Sequence, residues 1–320
     1  MNNRISSIRS FIKKELIDRL MTVKTVGVDL GSEALKIVEV EKKEGQVRIR
    51  RCAVGKVENG NAAELLKKLF SETEIEAHQA ALGLSSPEVV VKPFKCPPMP
   101  RKELASAIRI EAESAILNGH SLEEMAVDWQ LLPSASKESL RGVLAVVPKT
   151  ALAAPLQTAR AAGLKPVVMD VEGLALWNAY WILIGSREPA RKTALLINVG
   201  KGKTNLVIAK GPDELILVRD FGLGSKAIEA GQKKEWMEEV QDSLGYARSN
   251  GGLREVEAAY VTGGGAGSAV VSLLKPLVAV PVVLWNPFQQ VKRGDQSAKV
   301  EESLGPLFTV AIGLALRRVS

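Results

Sequence analysis

The chain has 320 residues, is 46% hydrophobic and 25% charged, and sets 43 Lys and Arg against 36 Asp and Glu for a net charge of +7. That length suits about two domains of roughly 150 residues, and the composition excludes wholesale disorder and collagen-like or linker-dominated chains. No uncharged apolar run approaches the ~18 residues of a membrane helix, and two cysteines with two histidines are too few for a zinc ribbon or a disulfide scaffold, which points to a reducing, cytoplasmic setting.

Residues 1–22 place Ile5, Ile8, Ile12, Leu16 and Leu20 three and four apart, so they read as an amphipathic helix with one apolar stripe. Through residue 24 the segment carries Arg4, Arg9, Lys13, Lys14, Arg19 and Lys24 against Glu15 and Asp18, a balance of +4. It lacks the apolar core and cleavage site of a secretory signal. Two roles stay open: a helix that caps the folded body, or one that lies on an anionic membrane surface or a partner. A second basic cluster follows at Lys42, Lys43, Arg48, Arg50 and Arg51. No zinc finger, RNP box or aromatic-interleaved basic run accompanies the charge, so nucleic acid is not the expected partner. An anionic membrane or an acidic protein suits it better.

From Thr25 the chain turns strand-like. Runs over 25–30 and 35–41 meet at Gly31-Ser32, and a turn at Gly45 leads into the alternating stretch 46–54. A helix is expected over 62–70, then short strands over 80–84 and 88–94. Cys96-Pro97-Pro98-Met99-Pro100 interrupts regular structure, because proline supplies no backbone donor. A helix over 101–117, strands over 125–132 and 142–148, and a helix from Thr150 to Gly163 complete a compact α+β unit. A strand over 165–170 and an apolar, Trp-containing helix over 173–184 come next, the helix being buried on most sides. The polar stretch Ser186–Lys192, with Pro189, reads as a link between halves.

The opening pattern then repeats. Val26-Gly-Val-Asp29-Leu-Gly31-Ser followed by Leu35-Lys-Ile-Val recurs as Leu195-Leu-Ile-Asn198-Val-Gly200-Lys followed by Thr204-Asn-Leu-Val. Each copy runs on through a glycine turn into a third strand, which indicates a duplicated α/β unit. The second copy ends at Phe221-Gly-Leu-Gly224. A polar, helical stretch over 225–259, the strand leading to Gly263-Gly264-Gly265, a strand over 278–284, Asn286-Pro-Phe and an apolar helix over 307–316 close the chain.

Several of these turns carry chemistry. In Asp29-x-Gly31-Ser32 the glycine admits an anion close to the backbone, the hydroxyl can hold a phosphate oxygen, and Asp29 can reach a hydrated Mg²⁺. Alone it is also an ordinary hairpin turn; the copy at Asn198-x-Gly200 is what suggests two turns clamping a phosphate. Gly200-Lys-Gly-Lys-Thr204 imitates a P-loop, but Ile197 stands where the first glycine belongs and the segment enters a strand, so the likeness is rejected. Gly263-Gly264-Gly265 suits a nucleotide or, equally, a tight strand-to-helix turn. Glu172 could position a water, or merely begin a helix. His78 and His120 sit in polar and turn-like stretches, so Ser/His/Asp chemistry is not expected.

Asp29-x-Gly31-Ser32-x-x-x-Lys36, Glu172, Asn198-x-Gly200-x-x-x-Thr204 and Gly263-Gly264-Gly265, taken in order, resemble the actin/Hsp70/sugar-kinase superfamily. The chain looks most like the PilM family of actin-like type IV pilus assembly proteins, over roughly residues 24–318. Pro97-Pro-Met-Pro-Arg-Lys-Glu-Leu, Ala107-Ile-Arg-Ile-Glu-Ala-Glu, Met169-Asp-Val-Glu-Gly, Asn286-Pro-Phe and Ala311-Ile-Gly-Leu-Ala-Leu carry the likeness. It implies an α/β, actin-like fold of two duplicated RNase H-like halves. The first half would comprise 23–86 and 168–185, with an inserted α+β subdomain of the FtsA type at 87–167. The second would comprise 190–320, shortened around 225–259.

The same resemblance implies a cytoplasmic scaffold, peripheral at the inner membrane, that grips the tail of a PilN-like membrane protein and meets other pilus assembly proteins. Phosphate contacts carry over to Gly31, Ser32, Lys36, Gly200 and Thr204, nucleoside contacts to Gly263, Gly264 and Gly265, and ATP with Mg²⁺ is the implied cofactor, Asp29 holding the metal through water. The partner groove is expected between the first half and the insert, beside Pro97, Pro98, Met99 and Pro100. Asn198 stands where the family has Asp, and the 225–259 stretch is short for a cover over adenine, so hydrolysis is expected to be weak or absent. Two other readings are an ATP-dependent small-molecule kinase, for which no general base is evident, and a GspL-like type II secretion component.

Overall fold

In a computed structural model of the chain, the structure describes residues 23–43, 46–58, 60–75, 77, 79–116, 120–133, 138–188 and 190–317. The amphipathic helix expected over 1–22, the turn at Gly45, His78 and Pro189 lie outside the described residues.

β1 (Val23–Leu30), β2 (Ala34–Lys43) and β3 (Gln46–Lys56) form an antiparallel meander whose tight first turn places Asp29 opposite Lys36. α1 (Ala62–Thr73) buries Leu66, Leu69 and Phe70 and returns the chain to β4 (Gln79–Leu84), parallel to β1. The chain then leaves this sheet. β5 (Val90–Cys96), α2 (Arg101–Ala115), β6 (Met125–Leu131), β7 (Leu140–Pro148) and α3 (Lys149–Ala161) follow, with the strands in a separate antiparallel sheet of order β5-β7-β6. α2 covers one face of it through Leu104, Ile108 and Ala112. Pro93 sits in β5, an edge strand, where a missing donor does least harm.

β8 (Lys165–Val171) rejoins the first sheet parallel to β4, and α4 (Glu172–Leu183) follows directly. The second sheet repeats the plan. β9 (Thr193–Val199), β10 (Thr204–Lys210) and β11 (Glu214–Phe221) form the meander, then α5 (Ser225–Glu229) and α6 (Lys233–Asn250) lead to β12 (Ala258–Thr262) and α7 (Ser268–Leu274) to β13 (Val282–Leu284). The sheets have orders β14-β3-β2-β1-β4-β8 and β11-β10-β9-β12-β13, β14 being the two-residue strand Lys292–Arg293. Each is a meander followed by two parallel strands. The likeness reaches the irregularities: the middle strand of each meander shifts register ten residues after Asp29 and ten residues after Asn198.

Between the sheets lie α4 and α8 (Thr309–Leu316), both apolar on nearly every side. They approach closely because Gly313 puts bare backbone against the Ala175 carbonyl, and Gly27 of β1 does the same against Ala311; a β-carbon at either would clash. Two expected elements are shorter than their sequence suggests. The last strand of the second sheet begins at Val282, after Pro281, and the final α-helix begins at Thr309 because Pro306 holds Glu302–Phe308 in a 3₁₀ turn.

Candidate functional site

The two repeated turns face each other. A β-carbon placed on Gly202 would lie 3.9 Å from the Ser32 hydroxyl, so the β1–β2 and β9–β10 turns form opposite lips of one cleft. On the first lip the Lys36 ammonium meets the Asp29 carboxylate at 3.0 Å, both side chains being nearly buried. Gly31 is required beneath it: a β-carbon there would come within 2.8 Å of the Lys36 nitrogen and 2.7 Å of the Ala34 carbonyl. Gly200 donates its N–H to the Lys203 carbonyl at 2.9 Å and accepts from Ser225 N–H at 2.9 Å, tying the second lip to the start of α5.

The two copies diverge at equivalent positions. Where Asp29 faces Lys36, Asn198 faces Asn205, and a charged pair becomes an amide pair. Asn198 Nδ2 donates to Asn205 Oδ1 at 2.7 Å, Asn205 Nδ2 donates to Asp220 Oδ1 at 2.8 Å, and Ser85 Oγ, just beyond β4 of the first sheet, donates to Asp220 Oδ2 at 2.6 Å. This relay crosses from one half to the other. Sequence reasoning missed Asn205, Asp220 and Ser85; the repeat alignment could have found Asn205, which occupies the Lys36 position of the second copy.

Glu172 begins α4 at the back of the cleft with its side chain 5% exposed, and Lys203 Nζ donates to its Oε1 at 2.8 Å. Burial pushes this carboxyl up, the Lys203 charge opposes the rise, and the neighbouring Asp29 and Asp220 add to it. A cavity of about 410 Å³ opens beside the pair, bounded by Leu30, Ser85, Glu88, Thr150, Glu172 and Lys203. Among the described residues no group of three or more His, Cys, Asp or Glu is arranged to hold a metal.

Two expectations need correction here. Thr204 does not offer its hydroxyl to a phosphate. The residue is fully buried, its Oγ1 donates to the Leu223 carbonyl at 2.7 Å, and it accepts from Trp236 Nε1 at 3.0 Å. Likewise, Gly263 N–H donates to the Pro306 carbonyl at 3.0 Å and Gly265 N–H to the Val199 carbonyl at 2.8 Å, so neither donor faces outward. α7 begins only at Ser268. Close packing explains the triplet: Gly263 has φ +102° and lies against Val199, Gly264 against Leu307, and a β-carbon on Gly265 would sit 2.5 Å from Ser225 Cβ. Gly264 alone keeps an exposed face.

A second concave feature lies between the inserted sheet and the first half. It is a groove of about 490 Å³ whose walls are β6, β7 and α3 on one side and β8 and α4 on the other. Trp129, Leu152, Met169, Leu174 and Trp181 make it apolar, with Asp170, Asn178 and Arg317 as polar points. Arg317 Nε lies 3.1 Å from Asp170 Oδ2, and its Nη2 donates to Gln130 at 2.6 Å. Burial pushes the Asp170 carboxyl up to about 6 against the pull of Arg317. The proline run expected beside this groove is elsewhere. Met99 packs with the α2 cluster and the Pro100 carbonyl accepts from Leu104 N–H at 3.0 Å, so the run starts a helix and Pro97, Pro98, Met99 and Pro100 contribute nothing to the lining.

Residues 27–232 match the family described as type IV pilus assembly protein PilM. The chain belongs to the PilM family. The fold of this PilM-family protein is actin-like, and it is similar over 93% of its length to a solved PilM–PilN type IV pilus biogenesis complex, with 27% identity, a TM-score of 0.78 and 99% of that chain covered. Weaker matches are the ethanolamine utilization protein EutJ of Carboxydothermus hydrogenoformans, with 16% identity, TM-score 0.47 and coverage of 93% and 91% of the two chains. The cytoplasmic domain of EpsL, an inner-membrane component of the Vibrio cholerae type II secretion system, matches with 14% identity, TM-score 0.47 and coverage of 91% and 95%. Among the described residues no helix is long and apolar enough to cross a membrane.

Proposed function

We propose that this PilM-family protein is a cytoplasmic scaffold, peripheral at the inner membrane, that holds the short tail of a PilN-like membrane protein in the groove between β6–β7 and β8–α4. The observation that carries the reading is the groove itself: mainly apolar, with Asp170, Asn178 and Arg317 as polar points, it has the chemistry of a peptide site. The match to a PilM–PilN complex supports the same assignment. The inserted unit at 87–167 supplies one wall and the first half the other, so the domain division is what creates the site.

The nucleotide cleft has a separate, supporting part. The Ser32 hydroxyl facing Gly202 across the cleft, with the Lys36 ammonium beside Gly31, fits the phosphate end of a nucleotide. Gly31, Ser32, Lys36 and Gly200 would hold the phosphates of ATP, Asp29 would reach Mg²⁺ through water, and Gly264 would lie under the nucleoside. Bound there, ATP supplies a charged bridge between the halves. Glu172 is engaged by Lys203 and Asn198 by Asn205, so neither is poised to activate a water, and a nucleotide-gated or pseudo-ATPase scaffold is the reading favoured over a small-molecule kinase.

The test is titration of a synthetic peptide of the partner's cytoplasmic tail into the full chain, read by tryptophan fluorescence from Trp129 and Trp181. Saturable binding that is lost in Leu152→Arg, with the thermal midpoint retained, is the expected result. No binding to the folded protein, together with phosphoryl transfer to a sugar or other small hydroxyl compound, would overturn the scaffold reading.

A further inference from the structure

Each lip of the nucleotide cleft carries a lysine, and the two are held differently. Lys36 is nearly buried and faces the equally buried Asp29. Lys203 is about one-third exposed, and its ammonium makes its one bond among the described residues to Glu172. An ammonium has three donors. With one spent on Glu172, two are left, and the side chain lines the cavity of about 410 Å³ that it shares with Leu30 and Ser85. The other acids near Glu172 are already engaged, Asp29 by Lys36 and Asp220 by Ser85 and Asn205.

The turns fix where this ammonium stands along the cleft. Gly265 donates to the Val199 carbonyl, and a β-carbon on it would lie 3.1 Å from the Gly200 carbonyl, so the glycine triplet adjoins the start of the β9–β10 turn. Gly202, further along that turn, faces the Ser32 hydroxyl. Lys203 comes next and carries its ammonium on to Glu172 of the first half. The order is therefore glycine triplet, Gly200, Gly202 with Ser32, and Lys203. With the nucleoside at Gly264 and the phosphates between the turns, Lys203 stands at the end farthest from the base.

We propose that Lys203 donates to the terminal phosphate of a nucleoside triphosphate in this cleft, with Glu172 as the positioning residue that keeps the side chain aimed there, so that the protein takes ATP in preference to ADP. The inference rests on the nucleotide reading of the cleft. A lysine is flexible on its four-carbon stem, and a buried carboxylate that needs its charge holds it in one place. The remaining donors then meet a phosphate through charge-assisted bonds, the strong kind. Lys203 belongs to the second half, and Ser32 and Lys36 to the first. The terminal phosphate is thus the one bonded from both sides of the cleft, and Glu172 stays engaged throughout.

The experiment is titration calorimetry of the full chain with ATP and with ADP, each in buffer containing Mg²⁺. Glu172→Gln is compared with Glu172→Gln plus Lys203→Met; the two differ only in the lysine, and neither leaves a buried carboxylate alone. The parent and Glu172→Gln should prefer ATP by about tenfold or more, the worth of a hydrogen bond to a charged group. The double variant should bind both nucleotides about equally. Glu172→Ala, which removes the acceptor as well as the charge, should lose part of the preference that Glu172→Gln keeps; equal preferences in these two would overturn the positioning role. Lys201→Gln removes the same charge from the same turn, at a side chain paired with Glu229, and should behave as the parent does. A preference for ATP that survives in the double variant overturns the assignment, and so does an equal loss in Lys201→Gln, which would trace the effect to general charge. If the parent and every variant bind neither nucleotide, the nucleotide reading of the cleft falls and takes the assignment with it. Thermal midpoints check the fold, and if Lys203→Met unfolds the double variant, Lys203→Gln in the same background makes the comparison.

Discussion

Lys203 of the second half reaches across the cleft to Glu172 of the first, 2.8 Å from nitrogen to oxygen, and the carboxylate it meets is almost wholly buried while the ammonium is about one-third exposed. The pair is thus lopsided. Glu172 depends on Lys203 far more than Lys203 depends on Glu172, because a buried charge without a partner bears its full desolvation cost.

Removing the ammonium with Lys203→Met should therefore destabilise the protein by about 1–3 kcal/mol at pH 8, below the ~3–5 kcal/mol of a fully buried pair because solvent already screens the lysine. The sign with pH follows from the raised carboxyl. Its folded form holds a proton more tightly than its unfolded form, so the stability it contributes is present at low pH and lost as pH rises through the folded value. The cost of Lys203→Met should then shrink at acid pH, and adding Glu172→Gln should recover most of it. Urea denaturation at both pH values checks this; an equal loss at both, or no recovery in the double variant, would refute the account.

Asp170, in the floor of the groove, makes a sharper pH prediction. Burial lifts its carboxyl from 3.8 to about 6, with Arg317 opposing the shift. Stability contributed by the protonated form is complete below about pH 4 and is lost as pH rises to about 6, some 3 kcal/mol in all at 1.36 kcal/mol per unit. Asp170→Asn cannot titrate. Between pH 4 and 7 the stability of the parent should fall relative to Asp170→Asn by about 2–3 kcal/mol. Parallel stability curves for the two proteins would show that the carboxyl titrates at its ordinary value.

The duplicated meander was legible because hydrogen-bond register follows local pattern: Asp29 opposite Lys36 and Asn198 opposite Asn205 are consequences of a tight turn with a fixed number of residues. The relay was not legible, since Ser85 and Asp220 are 135 residues apart and meet only when the halves close. The lining of the groove was hidden for the same reason: its walls come from β6, β8 and α4, none of which signals a site alone, whereas the conspicuous Pro97–Pro100 run begins α2. Thr204 and the glycine triplet misled in another way. A threonine opening a strand and a glycine lacking room for a β-carbon look alike whether the neighbour is a phosphate or the protein itself, and here Trp236, Leu223 and Val199 are the neighbours.

The packing origin of the triplet can be tested on two glycines four residues apart. Gly263 combines φ +102° with backbone contact at Val199, so Gly263→Ala should cost more than about 2 kcal/mol through strain and displacement of β9. Gly267 is extended and has nothing within 4 Å of an added β-carbon, so Gly267→Ala should stay within about 1 kcal/mol of the parent. Thermal and urea unfolding of the two variants decide the matter; similar stabilities would contradict the role assigned to Gly263.

The final prediction concerns Asn198, where restoring the acidic residue of the family's phosphate turn would be the natural repair. The relay argues against it. An ionised Asp220 can only accept, and it already takes Ser85 at one oxygen, so Asn205 must direct its amide nitrogen to the other. That orientation leaves Asn205 Oδ1 facing residue 198, which must then be a donor. Aspartate at 198 cannot donate. Either it confronts the Asn205 oxygen, or Asn205 turns over and sets its own oxygen against Asp220; each arrangement leaves an acceptor facing an acceptor and adds a negative charge to a relay that already ends in Asp220. Asn198→Asp should therefore lower stability by about 1–3 kcal/mol, the usual cost of leaving the buried Asn205 amide unsatisfied, instead of improving a metal site. Adding Asp220→Asn to the same chain supplies a new donor at the far end, lets Asn205 reverse, and should recover at least half of the loss. ATP turnover in the presence of Mg²⁺ should stay negligible in the parent and in both variants, since Glu172 remains engaged by Lys203. Steady hydrolysis by Asn198→Asp with parent-like stability would show that residue 198 addresses the nucleotide and not the relay.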